Sequence, residues 1–291
     1  MANKEDRIPS KKRSSHMVAI SFFDSVSLQE NFALIKGLGF FIAFIIGTSI
    51  QFFNPYNKST SLIFRNWAVN FPLAAINIAV MSAVCAGCVG ALASFAESHG
   101  WGLMNIWKSS EVTKVIAALF FLDLIAYLWH RANHRFSLLW RFHMAHHSDR
   151  VFDTSTSLRF HVGELLGSLG IRLLVVFALG LSITGILAFE IIFQFFNVIE
   201  HGNIRFPGKL EKILGTVVVT PALHRKHHSI NIIDLNSNFG TIFSFWDKLG
   251  GTYRDSQSSE HIEVGLPQDS TNPNLWQLLL LPIVRRPSKV R

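Results

Sequence analysis

Residues 112–134 read VTKVIAALFFLDLIAYLWHRANH, an apolar run that leads directly into two histidines. The run 112–129 is close to the length that an α-helix needs to cross a membrane. His130 and His134 follow at a spacing of four, which places both imidazoles on one face if the helix continues. This stretch therefore predicts a membrane helix whose last turns carry metal-ligand side chains.

Two more histidine clusters follow, HMAHH at 143–147 and HRKHH at 224–228. Residues at positions i, i+3 and i+4 share one helix face, so each cluster can direct two or three imidazoles at a common point. Neutral imidazole is a ligand that suits iron, zinc and copper. The three clusters together offer eight nitrogen ligands, which are too many for one tetrahedral zinc ion and suit two metal ions. We therefore predict a metalloprotein.

The composition indicates that this metal site belongs to a membrane protein. Mean hydropathy is +0.31 and charged residues make up only 16% of the chain, well below the roughly 25% of soluble domains. The net charge is +8, but the basic residues flank apolar runs, which favours contact with anionic lipid headgroups and not with nucleic acid. Cys85 and Cys88 are too few for a disulfide scaffold. Their C-A-G-C spacing resembles a redox or zinc pair, but their Ala/Gly-rich apolar surroundings favour close packing of helix against helix.

Five apolar runs predict an all-α integral membrane bundle of four to five membrane helices or hairpins, with a histidine-rich helical cap on the cytosolic side. The runs are 34–53, 67–96, 112–129, 165–181 and 183–199. Little more than Gly180 and Ser182 separates the last two, so they predict a tight helical hairpin. The hairpin would leave the cap after Glu164 and return to it at His201, which would bring all the histidine clusters to one face.

That face also carries many arginines and should therefore be cytoplasmic by the positive-inside rule. A difficulty arises at the start of the chain, because three crossings before the first cluster would put the basic N-terminal tail on the opposite side. Either the run 34–53 is interfacial or re-entrant, or the basic tail starts too far from this run for the positive-inside rule to apply to it. Both alternatives are open at this point.

The order and spacing of the motifs resemble the integral-membrane fatty acid hydroxylase and sterol desaturase superfamily. Proteins of this superfamily are oxygenases that use two iron ions, O2 and external electrons to hydroxylate or desaturate lipid-like substrates. The resemblance covers 115–252 and rests, in order, on Asp123-x3-Tyr127-x2-His130-Arg131-x2-His134, His143-x2-His146-His147, His201-x-Asn203, His224-x2-His227-His228, Asn238-Phe239-Gly240 and Trp246-Asp247-Lys248-Leu249-Gly250-Gly251-Thr252. It implies nine metal ligands: His130, His134, His143, His146, His147, His201, His224, His227 and His228.

Composition, apolar runs and the resemblance together divide the chain into four parts. They predict a polar basic tail at 1–30, membrane helices at 31–111, a catalytic domain at 112–252 that resembles the superfamily, and a polar tail at 253–291. The first 17 residues lack the apolar stretch of a cleavable signal peptide, so we interpret 1–30 as a tail.

Nine neutral imidazoles would leave two divalent cations with four uncompensated positive charges, which predicts nearby carboxylates that accept imidazole N–H bonds. Asp123 is the strongest candidate, because a carboxylate within an apolar membrane run is costly and usually functional. The other acidic candidates are Glu164, Asp149, Asp234 and Asp247. The resemblance adds three supporting or auxiliary residues: His161, Asn197, at a position where some relatives have a further histidine, and Asn203.

The leading hypothesis is a di-iron oxygenase that hydroxylates an alkyl chain, a sterol or a related lipid, with O2 as co-substrate. Desaturation at the same centre is the close alternative. A zinc hydrolase would need one open site with about three ligands and a general base, and a transporter would place its ligands within the spans, so both are disfavoured. A degenerate scaffold is disfavoured because every histidine motif is intact.

The source of electrons must lie outside this chain, because the sequence has no haem-binding motif and no four-cysteine cluster motif. We expect a separate cytochrome- or ferredoxin-type donor on the basic cytoplasmic face. Zinc is expected to compete with iron in purified samples, since nitrogen-rich sites bind Zn²⁺ more tightly than Fe²⁺.

Overall fold

The computed structural model describes residues 25–58, 61–255, 262–267 and 271–285, so that most of the predicted tail 1–30 lies outside the described residues. Within these ranges the chain is helical and has no β-strand, only isolated bridges. The all-α prediction is confirmed. The helices are α1 (Ser25–Phe53), α2 (Ile63–Cys85), α3 (Cys88–Ser98), α4 (Leu103–Ile106), α5 (Glu111–Arg135), α6 (Ser137–His147), a 3₁₀ helix (Thr154–Leu158), α7 (Val162–Leu179), α8 (Ile183–His201), α9 (Gly208–Leu214), α10 (Pro221–His227), α11 (Ile232–Leu235), α12 (Phe245–Leu249) and α13 (Leu275–Val284).

Five segments are long and apolar enough to cross a membrane, as the five runs predict. They are Leu28–Phe53, Ile63–Ile106, Glu111–Arg135, Val162–Leu179 and Ile183–His201. The second segment is not one continuous helix, because Ala86 is extended and Gly87 has a φ of +74°, which ends α2 and begins α3. Cys85 and Cys88 flank this break and are bonded to each other, so the pair does more than fill space between helices.

Helix α8 lies at the centre of the bundle, where it packs against α1, α5 and α10. Small residues permit these close contacts. A Cβ atom added to Gly185 of α8 would lie 3.0 Å from the Cβ of Ala118 in α5, and one added to Gly47 of α1 would lie 2.8 Å from Val198 Cγ1. A side chain at either glycine would therefore push the helices apart.

The bundle has a histidine end, where α5 and α8 finish, and a distal end, where both begin. Leu28, near the start of α1, packs on Ile183 at the distal end. Thr48, near the end of α1, lies within 3.0 Å of Thr154 at the histidine end, measured between the two hydroxyl oxygens. Helix α1 thus runs the length of the bundle, which contradicts the alternative that 34–53 is interfacial or re-entrant. The described start of the chain lies at the end opposite the histidines.

The predicted polar tail 253–291 contains an apolar helix, α13. Leu278 of this helix is fully buried against Leu73 of α2 and Ala145 of α6. Asn274 caps its start by accepting a hydrogen bond from the Gln277 backbone N–H at 3.0 Å. The C-terminal segment therefore packs against the helix that carries the second histidine cluster.

Candidate metal centre

Nine histidines converge at the histidine end, and they are the nine that the sequence singles out. They form two groups, within each of which the ligand nitrogens lie within 4.8 Å of one another. The five-histidine group contains His130, His134, His143, His147 and His227, and the four-histidine group contains His146, His201, His224 and His228. All are buried except His130, which is half-buried. Metal binding by these residues remains a prediction.

The helices divide each later sequence cluster between the two groups. In α6, His143 and His147 join the five-histidine group, while His146 joins the other. At α10 the division is reversed, since His224 and His228 join the four-histidine group and His227 the five-histidine group. Residues four apart lie almost above one another on a helix, whereas the third histidine is rotated around the axis. One short helix can therefore supply ligands to two ions.

The spacing of the nitrogens fits metal coordination. Two ligands at right angles, each with a metal–nitrogen bond of about 2.1 Å, would lie about 3.0 Å apart. The Nε2–Nε2 distances within the groups are 3.1 Å for His134–His147, 3.1 Å for His143–His147, 3.0 Å for His146–His201 and 2.9 Å for His201–His224. Lone pairs at this distance repel one another unless a cation or a proton lies between them.

Other imidazole nitrogens of the site are buried without a hydrogen-bond partner. They include Nε2 of His130, Nε2 of His227 and both nitrogens of His228. A buried polar atom without a partner costs free energy, and a metal ion would relieve that cost by accepting the lone pair. The donor set, its burial and its spacing therefore all fit two metal ions.

Backbone carbonyls fix the orientation of three imidazoles. Nδ1 of His130 lies 2.9 Å from the Phe239 carbonyl, Nδ1 of His227 lies 2.7 Å from the Ser237 carbonyl, and Nδ1 of His201 lies 2.6 Å from the carbonyl of residue 197. Each Nδ1 must donate its proton to such a carbonyl, which leaves Nε2 as the lone pair directed into the group. Partners of this kind commonly set the tautomer of a metal-binding histidine.

Burial keeps the histidines outside the membrane spans neutral. Loss of solvation, followed by repulsion from neighbouring imidazoles, lowers the pKa of His146, His147, His224 and His228 well below the ordinary value. Burial also lowers the pKa of His227, to about 3. Protons therefore compete weakly for these nitrogens, which is the state that metal binding requires.

Among the five acidic candidates, Glu164 is the one that accepts a hydrogen bond from an imidazole. Its Oε1 lies 2.8 Å from His143 Nδ1 and also accepts a bond from the Asn133 amide at 3.1 Å. The carboxylate sits in the first turn of α7, where the helix dipole favours negative charge. Glu164 thus contacts one of the predicted ligands, and its supporting role at a metal stays a prediction.

Glu200 is a second buried carboxylate beside the site, and the sequence analysis did not include it. Its oxygens lie 3.7 Å from His224 Nδ1 and 3.9 Å from His201 Nδ1, and one of them is buried without a hydrogen-bond partner. A signal was present in the sequence, because Glu200 is an acid at the end of an apolar run, directly before His201. The two groups thus each have one nearby glutamate.

Asp123 faces the protein interior, as predicted, but its carboxylate does not contact a histidine. It accepts hydrogen bonds from the backbone N–H groups of Ile242 and Phe243 at 3.2 Å and from the Trp246 indole at 2.8 Å. The prediction that an imidazole bonds to Asp123 is therefore wrong. The residue holds the cap segment that contains the Phe239 carbonyl.

Asp247 holds the same segment from the other side. Its carboxylate accepts the backbone N–H groups of Phe239 and Gly240, both at 2.8 Å, and the Thr252 hydroxyl at 2.7 Å. Burial raises the pKa of Asp247 against these hydrogen bonds. Asp247 therefore acts on His130 only through the Phe239 carbonyl, and the predicted bond from an imidazole is again wrong.

Asp149 belongs to a buried polar network that joins the second histidine cluster to α2. Its carboxylate accepts the Asn66 amide at 2.9 Å and the Thr156 hydroxyl at 2.7 Å. Arg159, fully buried, donates to Asn70 at 2.9 Å. Although burial opposes ionisation of Asp149, the charge of Arg159 and these hydrogen bonds lower its pKa. The network holds residues 148–160 in place instead of supporting an imidazole directly.

The remaining candidates also have structural contacts. His161 caps α7 by accepting the Gly163 N–H at 3.0 Å and lies outside both histidine groups, so its role as a supporting or auxiliary residue stays a prediction. The Asn197 amide donates to the Ser157 carbonyl at 3.1 Å. Asn203 bonds to the backbone of Asn57, and Asp234 pairs with Lys226 and Arg254 near the surface.

Comparison with known families agrees with this geometry. Residues 115–252 match the model of the fatty acid hydroxylase family, and the matched segment includes all nine histidines. These residues form a fatty acid hydroxylase domain. The resemblance drawn from the sequence is thereby confirmed. The domain begins within α5, so α1 to α4 precede the matched segment.

Curated relatives of this fatty acid hydroxylase domain are enzymes named for lipid oxidation. Ornithine lipid hydroxylase OlsE of Rhizobium tropici is 29% identical over 172 residues, which cover 58% of this chain and 49% of that protein. Alkylglycerol monooxygenase of Caenorhabditis elegans is 29% identical over 189 residues, covering 62% and 36%. Cholesterol 25-hydroxylase of Rattus norvegicus is 28% identical over 163 residues, covering 54% and 52%. The match thus spans about half the length of these relatives or less, and no solved structure matches.

Proposed function

We propose that this protein is a membrane-bound di-iron oxygenase that uses O2 and external electrons to hydroxylate a lipid-like substrate. The observation that carries the proposal is the convergence of nine buried histidines into two groups at one end of a bundle with five candidate membrane spans. Relatives named for the hydroxylation of ornithine lipid and cholesterol support a membrane lipid as the substrate.

The chain's own residues would prepare the site for this chemistry. The nine imidazoles would hold the two iron ions, whose chemistry when bound is the activation of O2 for attack on an unactivated C–H bond, which no side chain can supply. Glu164 and the carbonyls of Ser237 and Phe239 orient imidazoles by accepting their Nδ1 protons. Burial excludes water from the groups and so limits the loss of oxidising equivalents to side reactions.

Nine nitrogen donors also weigh against a zinc hydrolase, which needs about three ligands and an open position. Desaturation is the alternative within the same class, because both reactions begin by removing a hydrogen atom from carbon. Zinc is expected to replace iron in part during purification, so metal identity has to be tested by reloading with Fe²⁺.

A separate electron donor is expected at the histidine end, which we propose to be cytoplasmic. Exposed arginines that include Arg131, Arg135 and Arg205 surround this end. A donor with an acidic surface would be attracted to them, and the same residues agree with the positive-inside rule.

The test is lipid analysis of cells with and without the gene, grown under ¹⁸O2. We expect a lipid that gains one ¹⁸O atom and depends on the gene, and its absence in cells expressing His228→Ala. A gene-dependent double bond without label would favour the desaturase instead. One metal ion per chain in a fully loaded, active sample would contradict the two-ion centre.

A further inference from the structure

A group of three charged residues lies within the membrane spans, away from the histidines. Lys36 of α1 donates to Glu190 Oε2 of α8 at 2.8 Å, and Arg172 of α7 is paired with Glu190 Oε1. The Glu190 side chain is 7% exposed, while those of Lys36 and Arg172 are 39% and 27% exposed. Arg172 is eight residues beyond Glu164 and so lies about 12 Å from it along α7.

The charges of these three residues do not cancel when all are ionised. Glu190 supplies one negative charge to two cations, and each cation takes one of its carboxylate oxygens. Within the described part of the chain, no other carboxylate forms an ion pair with Lys36 or Arg172. Uncompensated charge within a membrane span is costly and usually marks a function. An additional anion would remove that cost.

The surroundings of Arg172 show where such an anion can approach. A crevice of about 30 Å³ between α5, α7 and α8 opens beside Arg172 and has apolar walls that include Leu122, Trp129 and Phe193. The crevice is too small for a whole headgroup, which has to remain at the partly exposed guanidinium.

We propose that Arg172 binds the anionic group of a membrane lipid, a phosphate or a carboxylate, with Lys36 providing the charge that Glu190 leaves uncompensated. Arginine suits this ligand because its planar group binds such oxygens through two hydrogen bonds. The apolar walls of the crevice suit the adjoining part of the lipid. This inference does not depend on the proposed oxygenase function.

The test measures lipid binding by the full-length protein in nanodiscs that contain equal parts of phosphatidylglycerol and phosphatidylcholine, by native mass spectrometry. Wild type is expected to retain phosphatidylglycerol preferentially. Arg172→Gln should lower the retention at least ten-fold, and Lys36→Gln should lower it too, because Glu190 then neutralises Arg172. Glu190→Gln should raise it. Lys209→Gln, at an exposed lysine of α9, is the matched control and should change nothing.

Competition distinguishes the possible sources of the anion. Added oleate should displace phosphatidylglycerol, whereas inorganic phosphate at the same concentration should not, because it lacks the apolar part. Displacement by phosphate alone would overturn the assignment to a lipid. Equal retention of both phospholipids by wild type, or unchanged retention in both Arg172→Gln and Lys36→Gln, would overturn the site. If Arg172→Gln does not yield folded protein, Lys36→Gln and Glu190→Gln still predict opposite changes.

Discussion

The two histidine groups share two helices and differ in the third. Both take ligands from α6 and from the region of α10, whereas α5 adds two histidines to one group and α8 adds a single histidine to the other. In an octahedral arrangement, five ligands leave one position free and four leave two. If each group holds one ion, the four-histidine group would therefore be the more open one, and we expect O2 to enter there.

The two groups also differ in how firmly their surroundings hold them. In the five-histidine group, Glu164 accepts a bond from His143 at 2.8 Å, and two carbonyls orient His130 and His227. In the four-histidine group, one carbonyl orients His201, and Glu200 stands 3.7 Å from the nearest imidazole nitrogen. The comparison predicts an ion that is rigidly held and another that is held more loosely.

The largest effect is expected from removing single ligands. His146→Ala, His147→Ala, His227→Ala and His228→Ala should each abolish turnover, whereas the loss of a supporting residue typically costs roughly 10–100-fold. Metal analysis should separate the groups, since His228→Ala should lose one ion and keep the other. The proteins should remain in the membrane, because the spans insert through their own hydrophobicity.

His99→Ala is the control for these variants, because His99 is exposed on the distal side and lies outside both groups. Its turnover and metal content should equal those of wild type. Retention of more than a few per cent of turnover by all four ligand variants would mean that the clusters have only a structural role.

The next largest effect separates the two glutamates. Glu164→Gln should lower the affinity of the five-histidine group for metal by roughly 10–100-fold, as is typical when a partner of a ligand is lost. Glu200→Gln should lower the affinity of the other group by less, because its distance exceeds that of a hydrogen bond. Metal titration of each variant measures the difference. An equal loss in Glu200→Gln would show that Glu200 bonds directly to His224 once metal is present.

Much of this site was predictable because it depends on local spacing. The histidines of an HxxHH motif occupy positions i, i+3 and i+4, so they share a helix face in any fold that keeps the helix. His201 lies outside these motifs and was predicted from the order of the motifs, which resembles that of the superfamily. The division of each motif between two groups was not predictable, because it depends on how α6 and α10 are rotated against each other. Glu200 was missed for the same reason, since its role depends on His224, which lies 24 residues further along the chain.

Part of the fold was also predictable from the sequence. Apolar runs fix the number of spans, because the bilayer requires long apolar helices. The break at Gly87 and the apolar helix α13 were missed, since glycine is common in membrane helices and a ten-residue apolar segment is too short for a span. The partners of Asp123 lie 119 to 123 residues away in sequence. No local sequence pattern can predict contacts over such a separation.

A smaller effect on the site is expected from Asp123→Asn. One amide oxygen cannot accept all three hydrogen bonds that the two carboxylate oxygens accept, so at least one buried donor loses its partner. This should cost about 1–3 kcal/mol of stability, seen as a lower Tm. Metal affinity measured well below that Tm should change little, because Asp123 does not contact His130 and influences it only through the segment that contains the Phe239 carbonyl. A large loss of metal affinity at unchanged Tm would show that Asp123 acts on the metals after all.

The smallest effect is expected from Asp234→Asn, which we compare with the same substitution at Asp247. Asp234 is partly exposed and pairs with Lys226 and Arg254 at 3.9 Å and 3.4 Å, so Asp234→Asn should cost at most about 1 kcal/mol and leave metal content unchanged. Asp247→Asn makes the same chemical change where two backbone N–H groups and a hydroxyl depend on the carboxylate. It should lower the Tm further and loosen His130, which belongs to the five-histidine group. If both variants behaved alike, the cap segment would not be what holds the Phe239 carbonyl against His130.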